Sequence, residues 1–220
     1  MKKNYKKMRK KEEHLVSLIY RPITEQIAKF LFKTNITPNQ ITTFGIFISI
    51  IAGIFFSLGE WKYLIIGAIL AQCVLITDLL DGQVARYKKL RTMFGRWYDK
   101  IANKIFKYIM FLGATIGAYR VSGDYMILIV GIIAIFNVTM ISFVSLVKHF
   151  YDFSKNYSEL PKTKKYFIPF GMITVVGLSI SALLNILSWY LWFFAIFGTF
   201  AWIKQIFSHY RLGKDIKIKD

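Results

Sequence analysis

Residues 78–103 carry two groups of polar residues, which read Asp78-Leu79-Leu80-Asp81-Gly82-Gln83-Val84-Ala85-Arg86 and then Gly95-Arg96-Trp97-Tyr98-Asp99, with Asn103 four residues further on. Asp78 and Asp81 are three residues apart, a spacing that puts both carboxylates on one face of a helix. Asp99 and Asn103 would share a face of the next helix in the same way. If the two helices pack side by side, these four side chains meet at one point with Arg86 beside them.

Three carboxylates gathered at one point repel one another unless cations lie between them. Ligation by oxygen alone suits Mg²⁺ or Mn²⁺, and Mg²⁺ is commonly shared between protein carboxylates and substrate phosphates. The alternative interpretation is a set of structural ion pairs with Arg86, Lys100 or Lys104. Ion pairing does not require small residues such as Gly82 and Gly95 at set offsets, whereas a ligand pressed against the backbone does. The pattern therefore favours a metal site.

The composition indicates a single-domain membrane protein. Of the 220 residues, 55% are hydrophobic, and the mean hydropathy is +0.43, which is high for a soluble protein. The formal net charge of +18 raises the possibility of nucleic-acid binding. The basic residues, however, lie between long apolar runs and do not form a continuous polar surface. We therefore expect membrane lipids as a partner and no nucleic acid.

Six apolar runs are each close to the ~20 residues that cross a bilayer. A further stretch, residues 14–33, has an amphipathic pattern typical of a helix lying in the membrane interface, and packing of that helix against the bundle is compatible with this. The expected fold is all-α, with six transmembrane helices after an N-terminal interfacial helix. The six predicted spans are 41–58, 63–84, 101–119, 125–147, 167–187 and 189–207. The predicted domain bounds are 1–33 for the basic tail and interfacial helix, 34–208 for the membrane domain and 209–220 for a second basic tail.

The distribution of basic residues predicts the orientation. Residues 1–39, 86–100, 148–166 and 204–220 hold 26 of the 30 Lys and Arg residues. By the positive-inside rule, both termini and the acidic cluster lie on the cytoplasmic side of the cell membrane. Residues 149–166 form the longest predicted cytoplasmic loop and are a candidate lid.

The spacing Asp-x2-Asp-Gly-x2-Ala-Arg-x8-Gly-x3-Asp-x3-Asp resembles the signature of the CDP-alcohol phosphotransferase family. Seven of its eight positions are present, and the eighth is Asn103 in place of Asp. The resemblance covers about residues 34–205 and implies a CDP-linked donor, usually CDP-diacylglycerol, whose diphosphate is bridged by Mg²⁺ or Mn²⁺. The metal ligands that it implies are Asp78, Asp81, Asp99 and the residue at position 103.

The resemblance also implies a set of contacts for the nucleotide and its diphosphate. In the segment Thr37-Pro38-Asn39, the residues themselves show only a helix cap followed by proline at the first helical position. The family likeness adds a nucleotide contact for Asn39. The full implied set is Asn39, Asp81, Gly82, Ala85, Arg86 and Gly95.

The implied reaction transfers a phosphatidyl group to the hydroxyl of a polyol or polyol phosphate, such as inositol phosphate or glycerol phosphate, and releases CMP in phospholipid biosynthesis. The metal and Arg86 would neutralise charge on the leaving CMP while the hydroxyl attacks phosphorus. Lys100, Lys104 and Lys107 share a stripe with the site, and Lys148 follows at the end of a later span. These lysines form either a basic pocket for the acceptor phosphate or a set that snorkels to the headgroups or pairs with the acids.

Asn103 stands where the family has its last Asp, which ligates metal or takes the proton of the acceptor. With Asp99, it marks the predicted catalytic position. An amide can offer oxygen to a metal but cannot accept a proton at neutral pH. Three explanations remain open. The residue is an engineered Asp→Asn change, or it is natural and a metal-bound hydroxide or His149 replaces the base, or the chain has lost catalysis.

Two other functions compete with the transferase. A catalytically silent relative would bind CDP-lipid and metal without turnover. A small cation transporter would use the acids to bind its ion in transit, although acids near one membrane face rather than at the midplane count against this.

Small residues at four-residue spacing predict close helix packing, either within one protomer or between the two protomers of an expected homodimer. They are Gly45, Ser49 and Gly53 in the first span and Gly113 and Gly117 in the third.

Overall fold

The computed structural model describes the backbone of residues 15–150 and 170–213 and the side chains of residues 19–144, 174–207 and 210. The predicted lid at 149–166 lies outside these ranges apart from its first two residues, as do most of both predicted basic tails and the side chains of Lys148 and His149. The described residues are all helical apart from short connections, which confirms the all-α part of the predicted fold class. The helices are α1 (Leu15–Phe32), α2 (Pro38–Leu58), α3 (Trp61–Tyr87), α4 (Met93–Ser122), α5 (Tyr125–Phe150), α6 (Phe170–Leu183) and α7 (Leu187–Gly213).

Four of the predicted spans are long and apolar enough to cross a membrane, namely Pro38–Leu58, Trp61–Tyr87, Tyr125–Val144 and Leu187–Phe207. The predicted span at 101–119 lies inside α4 but does not reach that hydropathy, because Asn103, Lys104 and Lys107 interrupt its apolar run. The predicted span at 167–187 corresponds to α6, of which Thr174–Leu183 is a shorter apolar helix. Six spans therefore remain a prediction.

The predicted amphipathic helix is α1, and it packs against α3. Thr24 and Ala28 on the contacting face are completely buried, and the side-chain amide of Gln83 donates to Thr24 Oγ1 at 2.7 Å. On the other side of the helix, Ile19 and Phe30 are each 71% exposed. The helix therefore covers α3 with one face and presents an apolar surface with the other.

The helix α2 lies against both α3 and α4, whereas α3 and α4 make only a few contacts with each other. Two glycines of α4 allow the close approach. A Cβ on Gly113 would lie 2.1 Å from the carbonyl oxygen of Gly53, and one on Gly117 would lie 2.0 Å from that of Phe56. These small residues are thus used within one protomer, which answers the alternative that the sequence left open.

The helix ends around the acidic cluster are capped by local hydrogen bonds. At the start of α2, Gln40 N donates to Thr37 Oγ1 at 3.3 Å and Thr37 N donates to the Gln40 side chain at 2.8 Å, so the predicted N-cap is confirmed as a full capping box. The helix α4 starts in a similar way, since Gly95 N donates to Thr92 Oγ1 at 2.9 Å.

The helix α3 ends in a tight turn in which Lys89 has a left-handed φ of 58°. Leu90 N donates to the carbonyl oxygen of Ala85 at 3.0 Å across this turn. The chain therefore reverses directly after α3, and the start of α4 is brought back beside the end of α3 and the start of α2.

Candidate active site

A cleft opens where the start of α2, the end of α3 and the start of α4 meet, with a volume of about 180 Å³. All six residues predicted to contact the nucleotide and its diphosphate lie on its walls, which places α2, α3 and α4 residues around one space. The lining residues are Pro38, Asn39, Thr42, Asp81, Gly82, Ala85, Arg86, Leu90, Arg91, Thr92, Gly95, Arg96 and Asp99.

Small side chains keep this cleft open and close to the backbone. A Cβ on Gly95 would lie 3.0 Å from Thr92 Oγ1 and 3.1 Å from Asn39 Oδ1, so a larger residue would press on both the cap and the opposite wall. A Cβ on Gly82 would meet only the Arg86 guanidinium, at 3.5 Å. The α2 and α4 walls therefore approach each other most closely at Asn39 and Gly95.

Asp81 is a buried carboxylate, with 5% of the residue exposed. It accepts a hydrogen bond of 2.5 Å from the hydroxyl of Thr42, which is itself 4% exposed. A hydrogen bond to a buried carboxylate stabilises the charged form of that group. The helix α2, which carries no acidic residue, thus contributes directly to the acidic cluster.

The side-chain amide of Asn103 bridges two acids. It donates to Asp78 Oδ1 on α3 and to Asp99 Oδ1 on its own helix, the latter at 3.1 Å. The structure therefore brings Asp78, Asp99 and Asn103 together as the sequence predicts, and the amide lies between the two carboxylates. Asp81 accepts its hydrogen bond from Thr42 instead of from this amide.

Two salt bridges join described residues, and both lie outside the acidic cluster. They pair Arg21 with Glu25 and Lys62 with Glu60. Asp99 precedes the apolar part of α4, and burial raises the pKa of its carboxyl, while the hydrogen bonds with Asn103 and Asp78 lower it.

Three carboxylates and one amide provide the oxygen donors that Mg²⁺ and Mn²⁺ prefer, so the residues fit a divalent ion by type. These residues do not form a ready metal site in the structure, because no three His, Cys, Asp or Glu side chains among the described residues converge closely enough to hold an ion. The Asn103 amide lies between Asp78 and Asp99, and Thr42 holds Asp81. Binding of an ion would require the amide to turn its oxygen inward and Asp81 to rotate.

The predicted acceptor lysines lie apart from the cleft walls. Lys104 and Lys107 are partly buried, and Lys107 is close enough to Asp78 for electrostatic attraction, while Lys100 is exposed and attracts Asp99. None of the three forms a hydrogen bond or an ion pair with the described residues. The lysine stripe thus lies near the acid pair without lining the cleft.

Three contributions to the site were not anticipated from sequence. Thr42 carries no signal beyond its place in a threonine-rich first turn. Lys88 was interpreted only as positive charge, yet its ammonium donates to the carbonyl oxygens of Thr34 at 2.7 Å and Ile36 at 2.6 Å. Arg91, also interpreted as positive charge, lines the cleft.

Comparison with known protein families gives one match that covers most of the chain. The model of the CDP-alcohol phosphatidyltransferase family matches residues 35–203. The chain belongs to this family. The assignment drawn from the eight-position spacing is thereby confirmed, and the family consists of transferases.

Three known proteins match parts of the chain. It is 32% identical over 83 residues to the phosphatidylinositol phosphate synthase of Corynebacterium glutamicum, which is 38% of this chain and 37% of that protein. It is 31% identical over 106 residues to the bifunctional IPC transferase and DIPP synthase of Aquifex aeolicus, covering 48% and 23%. An uncharacterised Aquifex aeolicus protein is 28% identical over 122 residues, covering 54% and 61%. The matched part is thus less than two thirds of the length of each relative.

Solved structures of this family share the fold over almost the whole chain. The Mycobacterium tuberculosis phosphatidylinositol phosphate synthase with CDP-DAG bound has a TM-score of 0.69 and 22% identity, and the likeness covers 90% of this chain and 100% of that one. The same enzyme in complex with manganese and citrate gives 0.67 and 20%, with 89% and 93% covered.

Proposed function

We propose that this chain is a membrane enzyme that transfers a phosphatidyl or other substituted phosphate group from a CDP-linked donor, such as CDP-diacylglycerol, to the hydroxyl of a polyol or polyol phosphate. CMP is the leaving group. The observation that carries the proposal is the cleft, because all six residues implied for the nucleotide and diphosphate lie on its walls. The relatives support it, since one of them is a phosphatidylinositol phosphate synthase.

The metal site in this proposal consists of Asp78, Asp81, Asp99 and Asn103. Its support is a set of oxygen donors, of which Asp81 is buried and Asp78, Asp99 and Asn103 are partly buried, together with the manganese in the structure of the related Mycobacterium tuberculosis enzyme. When bound, Mg²⁺ or Mn²⁺ would neutralise diphosphate charge as CMP leaves.

The remaining cleft residues have simpler tasks in this proposal. Arg86 binds the diphosphate, and Gly82, Ala85 and Gly95 let the donor approach the backbone. Asp99 is the carboxylate at the start of α4 that takes the proton of the acceptor hydroxyl, and the Asn103 amide orients it.

The acceptor lies on the lysine side of the acid pair in this proposal. Lys104 and Lys107, with Lys100 at the rim, would hold the phosphate of inositol phosphate or glycerol phosphate, and Lys107 and Lys100 also lie close enough to Asp78 and Asp99 to attract them. Lys148 belongs to the same proposal, although its side chain lies outside the described residues. The site and both termini would face the cytoplasm.

A homodimer also remains a proposal. The small residues that suggested it pack within one protomer, so they give it no support.

A catalytically silent relative is the second candidate. The observation that favours it is the Asn103 amide, which occupies the position of the expected base and ties Asp78 to Asp99. Such a protein would bind CDP-lipid and metal without releasing CMP.

The deciding experiment measures CMP release from labelled CDP-diacylglycerol by the purified full chain, with a panel of acceptors and with Mg²⁺, Mn²⁺ or chelator. The Asn103→Asp variant is assayed in parallel. Metal-dependent CMP release by the unaltered chain supports the transferase. Release only after the Asn103→Asp change supports the silent relative, and no release or binding of CDP-lipid by either protein would falsify both.

A further inference from the structure

Lys88 makes two hydrogen bonds that the family signature does not account for. Its ammonium donates to the backbone carbonyl oxygens of Thr34 at 2.7 Å and Ile36 at 2.6 Å. Lys88 directly follows the last residue of α3, and both carbonyls belong to the connection between α1 and α2. The side chain therefore joins the end of α3 to the segment from which α2 starts.

That connecting segment is itself closely held. Thr34 donates to the carbonyl oxygen of Leu31 twice, from its backbone N at 3.1 Å and from its hydroxyl at 2.8 Å. Ile36 N donates to the Thr34 hydroxyl at 3.3 Å, and the capping box at Thr37 follows at once. A displacement of this segment would therefore also move the first turn of α2.

The first turn of α2 is one wall of the donor cleft. Pro38 and Asn39 line it, opposite the α3 residues Asp81 and Arg86. The α4 wall also lies close to this turn, because the Asn39 side chain leaves only 3.1 Å to a Cβ placed on Gly95 of α4. Lys88 does not line the cleft, but it joins the end of one wall helix, α3, to the segment from which a second wall helix, α2, starts.

We propose that Lys88 is a positioning residue that holds the α2 wall of the cleft against the α3 wall and so sets the affinity for the nucleoside diphosphate of the donor. The ligand named here rests on the proposed function, whereas the spacing of the two walls does not. Hydrogen bonds from a charged donor are stronger than neutral ones, so two of them are enough to fix a short loop.

The competing account is that Lys88 contributes only positive charge at the membrane surface. Lys89 is the matched control, because it is the neighbouring residue, carries the same charge and is exposed. Charge alone predicts equal effects for Lys88→Met and Lys89→Met. Positioning predicts an effect for Lys88→Met and rescue by Lys88→Arg, since arginine can still donate to both carbonyls.

The first test measures binding of CDP to the purified full chain in Mg²⁺ by calorimetry. We expect Lys88→Met to weaken binding roughly tenfold, with Lys88→Arg and Lys89→Met within about twofold of the unaltered chain. Equal affinities for the Lys88→Met and Lys89→Met variants would overturn the positioning role. If the unaltered chain binds no CDP, the proposed function fails. The second test still decides whether Lys88 holds the α2 wall against the α3 wall.

The second test measures distances between spin labels at Ile36→Cys and Leu90→Cys in a Cys73→Ser background. Both sites are partly exposed, at 39% and 47%. We expect Lys88→Met to broaden the distribution of distances between the two labels and to increase its mean. A control pair at Val121→Cys and Leu184→Cys, at the other end of the bundle, should not change. An unaltered 36–90 distance overturns the proposal, and so does a change at both pairs, because Lys88 would then stabilise the whole fold.

Discussion

At the scale of single residues, Asn103 is the position at which this chain departs from the family signature. Its amide supplies a donor between Asp78 and Asp99, where a carboxylate would add a third negative charge. The chain thus holds the two acids together by hydrogen bonding, and an ion would have to displace that contact.

We predict that the Asn103→Asp variant depends more strongly on metal for its stability. In chelator, its Tm should fall by several degrees, which corresponds to about 1–3 kcal/mol from an uncompensated buried carboxylate. Mg²⁺ or Mn²⁺ should then raise its Tm more than that of the unaltered chain. Thermal unfolding in detergent with and without the ions measures this, and an equal metal response in the two proteins would contradict the ligand role of position 103.

Thr42 gives a second prediction at this scale. Thr42→Val keeps the shape of the side chain but removes the hydroxyl that donates to Asp81, leaving a buried carboxylate without that partner. We expect the variant to lose roughly 1.5–3 kcal/mol of transition-state stabilisation, which corresponds to a rate of CMP release that is about ten- to hundredfold lower.

Thr43→Val is the matched control, because the Thr43 hydroxyl pairs with Tyr98 at 2.8 Å instead of with an acid. Thr42→Ser should keep most of the activity. Equal losses for Thr42→Val and Thr43→Val would show that the effect does not pass through Asp81.

At the scale of helices, the packing of α2 against α4 depends on glycine. We predict that Gly113→Ala destabilises the protein by about 1–3 kcal/mol, because the new methyl would lie 2.1 Å from a backbone oxygen of α2 and the helices would have to separate. Unfolding in denaturing detergent measures the loss.

Gly82→Ala is the control for helix propensity in that measurement. Its Cβ would meet only Arg86, at 3.5 Å, so alanine should leave stability unchanged or raise it by up to about 1 kcal/mol. A Gly113→Ala protein as stable as Gly82→Ala would show that α2 and α4 can separate without loss.

At the scale of the whole molecule, orientation in the membrane follows from charge. In a Cys73→Ser background, we predict that a membrane-impermeant maleimide labels Asp124→Cys in intact cells but labels Lys89→Cys only after the membrane is opened. Both positions are exposed. Lys89 lies in the connection before α4 and Asp124 in the connection after it, so the two residues mark opposite ends of that helix. The reverse labelling would place the acidic cluster outside the cytoplasm.

The sequence predicted the all-helical fold, and the six residues that it singled out for the nucleotide lie around one cleft, because apolar runs and fixed polar spacings are local properties of the chain. It could not predict the Thr42 contact with Asp81 or the Lys88 contact with the α1–α2 connection, since both depend on how α2 is rotated relative to α3. It also treated 101–119 as an ordinary span. The lysines in that stretch lower its hydropathy, and burial among other helices is not visible in a window average.

Because α3 and α4 each rest on α2 and hardly touch each other, the rotational phase of α2 sets how the two halves of the acidic cluster face one another. One residue inserted between Thr42 and Gly53 would turn one end of α2 by about 100° relative to the other. Every residue of the eight-position signature would be intact, yet Thr42 and Gly53 could no longer both meet their partners. Sequences that keep the signature but carry such an insertion should therefore have lost the activity.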